Sequence, residues 1–361
     1  MKRILYIVPH RANRSPGQRF RCEHFIPILQ KNGYKITYSN LLTEWDDKFF
    51  YQKRHYAVKL FILIKAFSRR CRDVVRAHNY DCIFIYREAF MIGITLFEHG
   101  LKLSKRPIVF DFDDSIWITD VSEGNKKLSW MKRSSKTDEI ISLADMVIVG
   151  NKYLAEHARQ FNSNVEIVPT TIDTDYHKPS VTHSSSPICI GWTGSETTIR
   201  HFKLIIPVLK RIKAVYGDKV SFLQISNVTY ECPEIGLETV VWNAQDEIQQ
   251  LERIDIGIMP LPNDEWSKGK CGFKGLQYMA LEIPTVMSPV GVNTEIINNG
   301  ENGFFADSEE QWFEVLCKLI DDNQLRKTIG AKGRETIIER YSILSQETHY
   351  LSIFEQLTNN R

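Results

Sequence analysis

Short continuous runs of apolar residues recur along the chain, and amphipathic stretches with helical spacing separate them. In the first half the apolar runs fall at 3–8, 35–39, 82–86, 107–110, 146–149 and 165–168, with helical patterns over 19–31, 56–78, 89–103, 126–143 and 151–161. A polar, Ser/Pro-rich stretch without periodicity, 178–187, interrupts this alternation. It then restarts, with strands expected at 188–192, 220–224, 238–241, 255–259 and 284–287. Helices are expected at 198–216, 244–253, 273–281, 309–321 and 324–339, and an amphipathic segment at 344–357 ends the pattern. Uninterrupted apolar strands between amphipathic helices imply parallel sheets covered on both faces. The pattern therefore predicts an α/β protein of two tandem, Rossmann-like, doubly wound domains. One spans 1–180 together with 344–361 and the other spans 187–343.

Composition narrows the class. The 361 residues are 43% hydrophobic and 25% charged, which excludes disordered and fibrous proteins. No run is long and apolar enough to span a bilayer, and the first residues read as a strand rather than a signal peptide. Seven cysteines form no CxxC pair, which argues for a reducing, cytoplasmic setting and against structural zinc. Charge is uneven: residues 1–180 hold 29 Lys/Arg against 20 Asp/Glu, whereas 181–361 hold 17 against 24. The first half is thus expected to face an anionic partner. No recognition motif for nucleic acid accompanies its basic residues, so nucleic acid is not expected as the partner.

Ligands of doubly wound sheets bind outside the carboxyl ends of the strands, so the loops there are the places to search. After the first strand, the polar loop from Pro9 leads into a helix through Gly17, Gln18 and Arg19, an entrance suited to a phosphate. The fourth strand ends in Asp111-Phe112-Asp113-Asp114. Three crowded carboxylates imply a metal-binding Asp-x-Asp or a catalytic carboxylate, with Asp113 and Asp114 as candidates. In the second half, Thr193-Gly194-Ser195 closes a strand and opens a helix, where backbone N–H groups could hold a phosphate. The segment from Trp266 to Pro284 places Lys270, Lys274 and Gln277 at i, i+4 and i+7, one face of a helix. An anion such as a diphosphate would relieve the repulsion between the two lysines.

The stretch from Lys270 to Pro284, the strand at Val286-Met287, the turn from Gly291 to Glu295 and Asn302-Gly303-Phe304 resemble glycosyltransferase family 4, whose tandem domains form the GT-B fold. The resemblance implies transfer of a sugar, with retention, from a nucleotide-diphosphate sugar to a saccharide or lipid-linked acceptor in cell-envelope polysaccharide synthesis. It also implies that the last helix crosses back onto the N-terminal domain. Lys274, then Lys270, would bind the donor diphosphate. Gln277 stands where the family has the glutamate that holds the ribose, and Gly269 stands where it has a second glutamate. Asp113 takes the place of the histidine that faces the reacting sugar. The family's arginine after the first strand of the second domain has no counterpart, since Trp192 and Thr193 occupy that stretch. With two lysines for the diphosphate, no metal or other cofactor is expected. An epimerase of the same fold, or a non-catalytic nucleotide-sugar-binding relative, would fit these departures.

Finally, 48–76 carries nine Lys/Arg against one acid, Asp73, interleaved with aromatic residues. Val58, Phe61, Leu63, Ile64 and Phe67 could form an apolar helix side flanked by Lys59, Arg69, Arg70 and Arg76. Such a helix is expected either to lie on an anionic membrane surface, making the protein peripheral at the inner face of the membrane, or to pack that side on the sheet.

Overall fold

The computed structural model describes residues 1–52, 54–118, 133, 135–180 and 186–359. The chain divides into two units, Met1–Thr170 with Gln346–Arg361, and Thr171–Ser345.

The first unit is built on strands β1 (Lys2–Val8), β2 (Tyr34–Asn40), β3 (Cys82–Tyr86), β4 (Ile108–Phe112), β5 (Met146–Val149) and β6 (Val165–Ile167). All pair in parallel, in the order β2-β1-β3-β4-β5-β6. Its helices are α1 (Pro16–Arg21), α2 (Ile26–Lys31), α3 (Glu44–Phe50), α4 (Tyr56–Arg76), α5 (Leu96–Lys102), α6 (Lys136–Leu143) and α7 (Lys152–Ala158). The second unit holds β7 (Ile188–Gly194), β8 (Val220–Ser226), β9 (Glu238–Val241), β10 (Ile256–Met259), β11 (Thr285–Met287) and β12 (Phe304–Phe305). These are also parallel, in the order β12-β11-β10-β7-β8-β9. Around them lie α8 (Ile199–Lys203), α9 (Ile206–Tyr216), α10 (Glu247–Leu251), α11 (Glu265–Lys268), α12 (Phe273–Ala280), α13 (Asn293–Ile296), α14 (Glu309–Asp321) and α15 (Asn323–Thr336). The chain closes with α16 (Ile343–Asn359).

The buried strands explain the sheets. Every residue of β3, β4, β5 and β10 is buried, as two covered faces require. The part of α16 that belongs to the first unit packs on β1 and β3. Tyr350 stacks on Phe25 at 3.9 Å, its hydroxyl lies 3.2 Å from that of Tyr6, and Phe354 meets Phe84.

Where the elements differ from the sequence reading, prolines and buried charges are the cause. The helix expected over 19–31 breaks into α1 and α2, because Pro27 lacks the N–H that a continuous helix needs. Pro207 divides the helix expected over 198–216 in the same way. Only α5 survives of the helix expected over 89–103. Arg70 donates to the Ala89 carbonyl, and Lys136 to those of Phe90 and Ile92, so these carbonyls serve buried cations instead of helix bonds. Part of the helix expected over 126–143 lies outside the described residues, and α6 is what the described part forms. Strand β4 runs on to Phe112, which puts Asp111 inside the sheet, paired with Tyr86 on one side and Ile148 on the other.

The boundary between units falls earlier than the Ser/Pro-rich stretch, of which 181–185 lie outside the described residues. Residues from Thr171 onward are tied to the second unit. Ile172 exchanges backbone bonds with Tyr341 and Ile343, and Arg334 donates to the carbonyls of His177 and Thr174.

Candidate active site

Each sheet has a switch point, where neighbouring strands lead the chain off in opposite directions and leave a crevice at their carboxyl ends. The strand orders place it between β1 and β3 in the first unit and between β7 and β10 in the second.

At the first switch point the crowded carboxylates resolve into two settings. Asp111 is fully buried, and Arg21 grips it through Nε and Nη2 at 3.1 and 2.8 Å, while Nη1 donates to the Val168 carbonyl. Burial pushes the Asp111 carboxyl up to about 6, against the pull of Arg21. Asp111 is therefore a core ion pair, which removes it from an Asp-x-Asp metal motif. Among the described residues, no group of three or more His, Cys, Asp or Glu is placed to hold a metal.

Asp113 and Asp114 lie just past β4 and share Arg87. Its Nε reaches Asp113 at 2.9 Å and its Nη2 reaches Asp114 at 2.7 Å, while the Tyr86 hydroxyl donates to Asp113 at 2.9 Å. Against the desolvation of its site, Asp113, Tyr86 and Asp114 hold the Arg87 guanidinium well above its usual range. Arg87 sits at φ +61°, a conformation costing a non-glycine residue on the order of 1 kcal/mol or more and concentrated at functional sites. The sequence reading passed over this residue. An arginine directly after a buried strand, opposite two aspartates, was the signal.

Gly17 joins the same cluster. A Cβ there would stand 3.0 Å from the Tyr86 hydroxyl and 3.2 Å from Asp113 Oδ2. The Asp113 carboxylate therefore lies beside the start of α1, where the helix dipole favours negative charge. Gln18, expected beside the donor, braces the loop from within in this structure. It is fully buried, exchanges bonds with the backbone of His10, and donates to Glu23 at 2.6 Å. Reaching a ligand would require breaking those bonds. Arg19 lies over the Phe20 ring at 4.5 Å. His10, close by, is lowered to about 4, first by burial and then by Arg14, Arg87 and Arg11, with Asp47 opposing.

At the second switch point, Gly194 and its neighbours have structural duties. A Cβ on Gly194 would overlap the Trp192 ring at 2.1 Å, so the glycine makes room for that side chain. The Thr193 backbone N–H donates to the Tyr278 hydroxyl at 2.8 Å, and Ser195 forms a turn with Thr198. In this structure these bonds engage the Thr193 and Ser195 N–H groups, which were expected to face a phosphate. Gln277, three residues after Lys274 on α12, is buried, with its amide 3.3 Å from Glu247 Oε1 and 3.4 Å from His177 Nε2. Helix α12 begins only at Phe273, after Gly272 at φ +68°, so Lys270 reaches out from the preceding loop and not from the helix.

The lysines nevertheless converge. Lys274 lies 5.6 Å from the Trp192 ring and Lys270 lies 4.8 Å from that of Trp266. His201 is buried, with no hydrogen-bond partner for Nδ1 among the described residues. Its ring is lowered to about 4, first by burial, then by Lys274, Arg200 and Lys270, with Asp264 opposing. Arg200 touches His201 at 3.4 Å. Three cations whose fields reach one buried imidazole, near a switch point, have the charge that an anionic ligand would require. Arg200 and His201 were missed because they follow the strand by a turn and a half of irregular chain, beyond the reach of motif spacing.

Residues 190–322 match the family described as glycosyl transferases group 1. Over that stretch the chain is similar to group 1 glycosyltransferases. The capsular polysaccharide biosynthesis glycosyltransferase CapM of Staphylococcus aureus is 24% identical over 156 residues, covering 41% of this chain and 39% of CapM. That match spans about four-tenths of the length of this curated relative. The whole fold is that of GT-B glycosyltransferases. Sucrose-phosphate synthase from Thermosynechococcus elongatus superposes with a TM-score of 0.69 at 12% identity, covering 100% of both chains. HepE from Anabaena, solved with UDP and glucose, gives 0.67 at 12% identity, over 98% of this chain and 100% of that one.

Proposed function

We propose that this protein transfers a glycosyl group, with retention, from a nucleotide-diphosphate sugar to a hydroxyl of a saccharide or lipid-linked acceptor in surface-polysaccharide synthesis. The observation that carries the reading is the group 1 match over 190–322, a stretch that brings Lys270, Lys274 and Arg200 within electrostatic reach of the buried His201, with Arg200 3.4 Å from it. As the bond from the anomeric carbon to the diphosphate breaks, negative charge grows on the departing phosphate. Preorganised cations stabilise that charge. They can do so without a metal, so a chelator should leave activity intact. Asp113 and Asp114, oriented by Arg87, would position the acceptor hydroxyl. The kinship with CapM supports a polysaccharide acceptor, and a uridine diphosphate sugar is the first donor to test.

The experiment pairs thermal-shift screening against nucleoside diphosphates and their sugars with product analysis, with and without saccharide acceptors. Stabilisation by a donor and acceptor-dependent release of nucleoside diphosphate are expected. A rearranged sugar formed from donor alone would indicate the epimerase. Donor binding with no turnover across the panel would indicate a binding protein, the reading that Gly269 and Gln277 favour.

A further inference from the structure

Helix α4 has two faces that differ in what they meet. Ile62, Ala66, Arg70 and Asp73 form the inward one. There Arg70 is fully buried, bonded to Asp73 at 2.8 Å and to the carbonyls of Val8 and Ala89, which takes it out of any surface role. The opposite face is apolar and open. Tyr56 is 80% exposed, Leu60 60%, Phe61 57%, Ile64 58%, Phe67 40% and Val75 73%. These positions recur at the three- and four-residue spacing that keeps side chains on one side of a helix. Helix α3 extends the surface through Trp45, 46% exposed, whose ring lies edge-on to Phe61 at 6.4 Å and 5.0 Å from Phe49. Phe67, at the margin of this stripe, lies edge-on to the buried Phe90 and Phe97 at 6.1 and 4.9 Å. Val58 and Leu63, expected to belong to it, are half-buried.

Cations frame the stripe. Lys65, Arg69, Arg72 and Arg76 follow one another along one edge, and Lys48, Arg54 and Lys59 lie toward its start. Asp46 binds Lys65 and Arg69, and Asp73 binds Arg76. Lys48, Arg54, Lys59 and Arg72 have no ion pair among the described residues. Asp47 of α3 is neutralised by Arg11 and Arg14 of the loop after β1. A contiguous apolar surface of this extent on a soluble chain marks an interaction site. Aromatic and aliphatic side chains bordered by unpaired cations have the chemistry of a bilayer interface carrying anionic headgroups.

From this arrangement we infer that the α3–α4 surface docks the first unit on an anionic lipid bilayer. The apolar stripe enters the headgroup boundary and Lys48, Arg54 and Arg72 meet the lipid phosphates. The loop carrying Arg11 and Arg14 adjoins this surface through Asp47 and through Tyr51, 6.0 Å from Arg14. The first unit's switch point therefore lies beside the docked face. This deepens the proposed function by giving the acceptor a place: it is presented from lipid. The docking itself rests on the exposed stripe and stands or falls apart from the donor chemistry.

Co-sedimentation of the full chain with vesicles tests it, using phosphatidylcholine alone against mixtures containing phosphatidylglycerol. Binding should rise with the anionic lipid and fall with salt. Phe61→Ser with Ile64→Ser, at solvent-facing positions, should reduce partitioning at least about tenfold with an unchanged melting temperature. Lys48→Glu with Arg72→Glu should do the same through charge, which keeps the test decisive if the apolar pair disturbs folding. Equal recovery in the supernatant with both lipids at low salt would overturn the inference. So would concentration-dependent self-association that the Phe61 and Ile64 substitutions abolish while no vesicle binding is seen, because the stripe would then join two copies of the chain. A stripe that serves lipid leaves donor affinity unaffected in the same variants.

Discussion

Replacing Lys274 with alanine removes one of the three cations grouped around His201. Its ammonium lies 5.6 Å from the centre of the Trp192 ring, and its field is the largest influence on His201 after burial. A charge-assisted hydrogen bond to a phosphate oxygen contributes about 1.5–3 kcal/mol. Nucleoside diphosphate affinity should therefore fall roughly ten- to a hundredfold. Lys270 and Arg200 remain, so binding should weaken without vanishing. Loss of the contact with Trp192 should lower stability by only about 0.5–1 kcal/mol, and the fold should survive. Isothermal titration calorimetry with uridine diphosphate and its purine counterparts reads the affinity, and a thermal melt separates binding from unfolding. His201 provides a second readout by NMR titration. Without Lys274 its pKa should rise from about 4 yet stay below 6.5, because burial is the leading cause of its depression. Lys274→Arg, which keeps the charge, should restore most of the binding. An unchanged dissociation constant in a folded Lys274→Ala protein would refute the assignment of the diphosphate to this cluster.

Asp113→Asn should lower kcat at least about tenfold while leaving donor affinity nearly intact, as expected for a group that acts on the acceptor. Wild-type turnover in that variant would remove Asp113 from the reaction. Gly330→Ala should destabilise the second unit by about 1–3 kcal/mol, since its Cβ would lie 1.9 Å from the Glu282 carbonyl oxygen, backbone that cannot swing aside. A melt unchanged by that substitution would show that α15 shifts at no cost. Acid should destabilise the protein between pH 6.5 and 4. His10 and His201 are each lowered from 6.5 to about 4, so the unfolded chain binds more protons in that window and stability is complete only above it. Asp111, raised from 3.8 to about 6, acts the other way, since the folded chain takes up its proton first as the pH falls. Two histidines outweigh one carboxyl, so the melting temperature should drop from pH 7 to pH 5, and less steeply in His201→Gln. Parallel slopes for wild type and variant would contradict this account.

The alternation of apolar and amphipathic segments was enough to determine two parallel α/β sheets and most of their strands, because a strand covered on both faces has only one composition open to it. β3 and β5 begin and end at the expected residues for this reason. Lys270 and Lys274 were also legible, since two cations close in sequence with few acids around them are close in any fold. Pairings across the chain were not. Arg21 with Asp111, and Arg87 with Asp113 and Asp114, join residues far apart in sequence, and only the sheet register brings them within hydrogen-bond range. The same holds for Arg200 and His201, which reach the lysines because β7 lies beside β10. Glycine has several uses and sequence does not separate them: Gly194 accommodates Trp192 and Gly17 accommodates Tyr86 and Asp113. Which apolar face of α4 is buried was likewise decided by packing. Both faces carry side chains able to fill a core, and the buried Arg70–Asp73 pair claimed the inward one. Periodicity records that a face is apolar, and only the tertiary structure fixes whether protein or solvent lies against it.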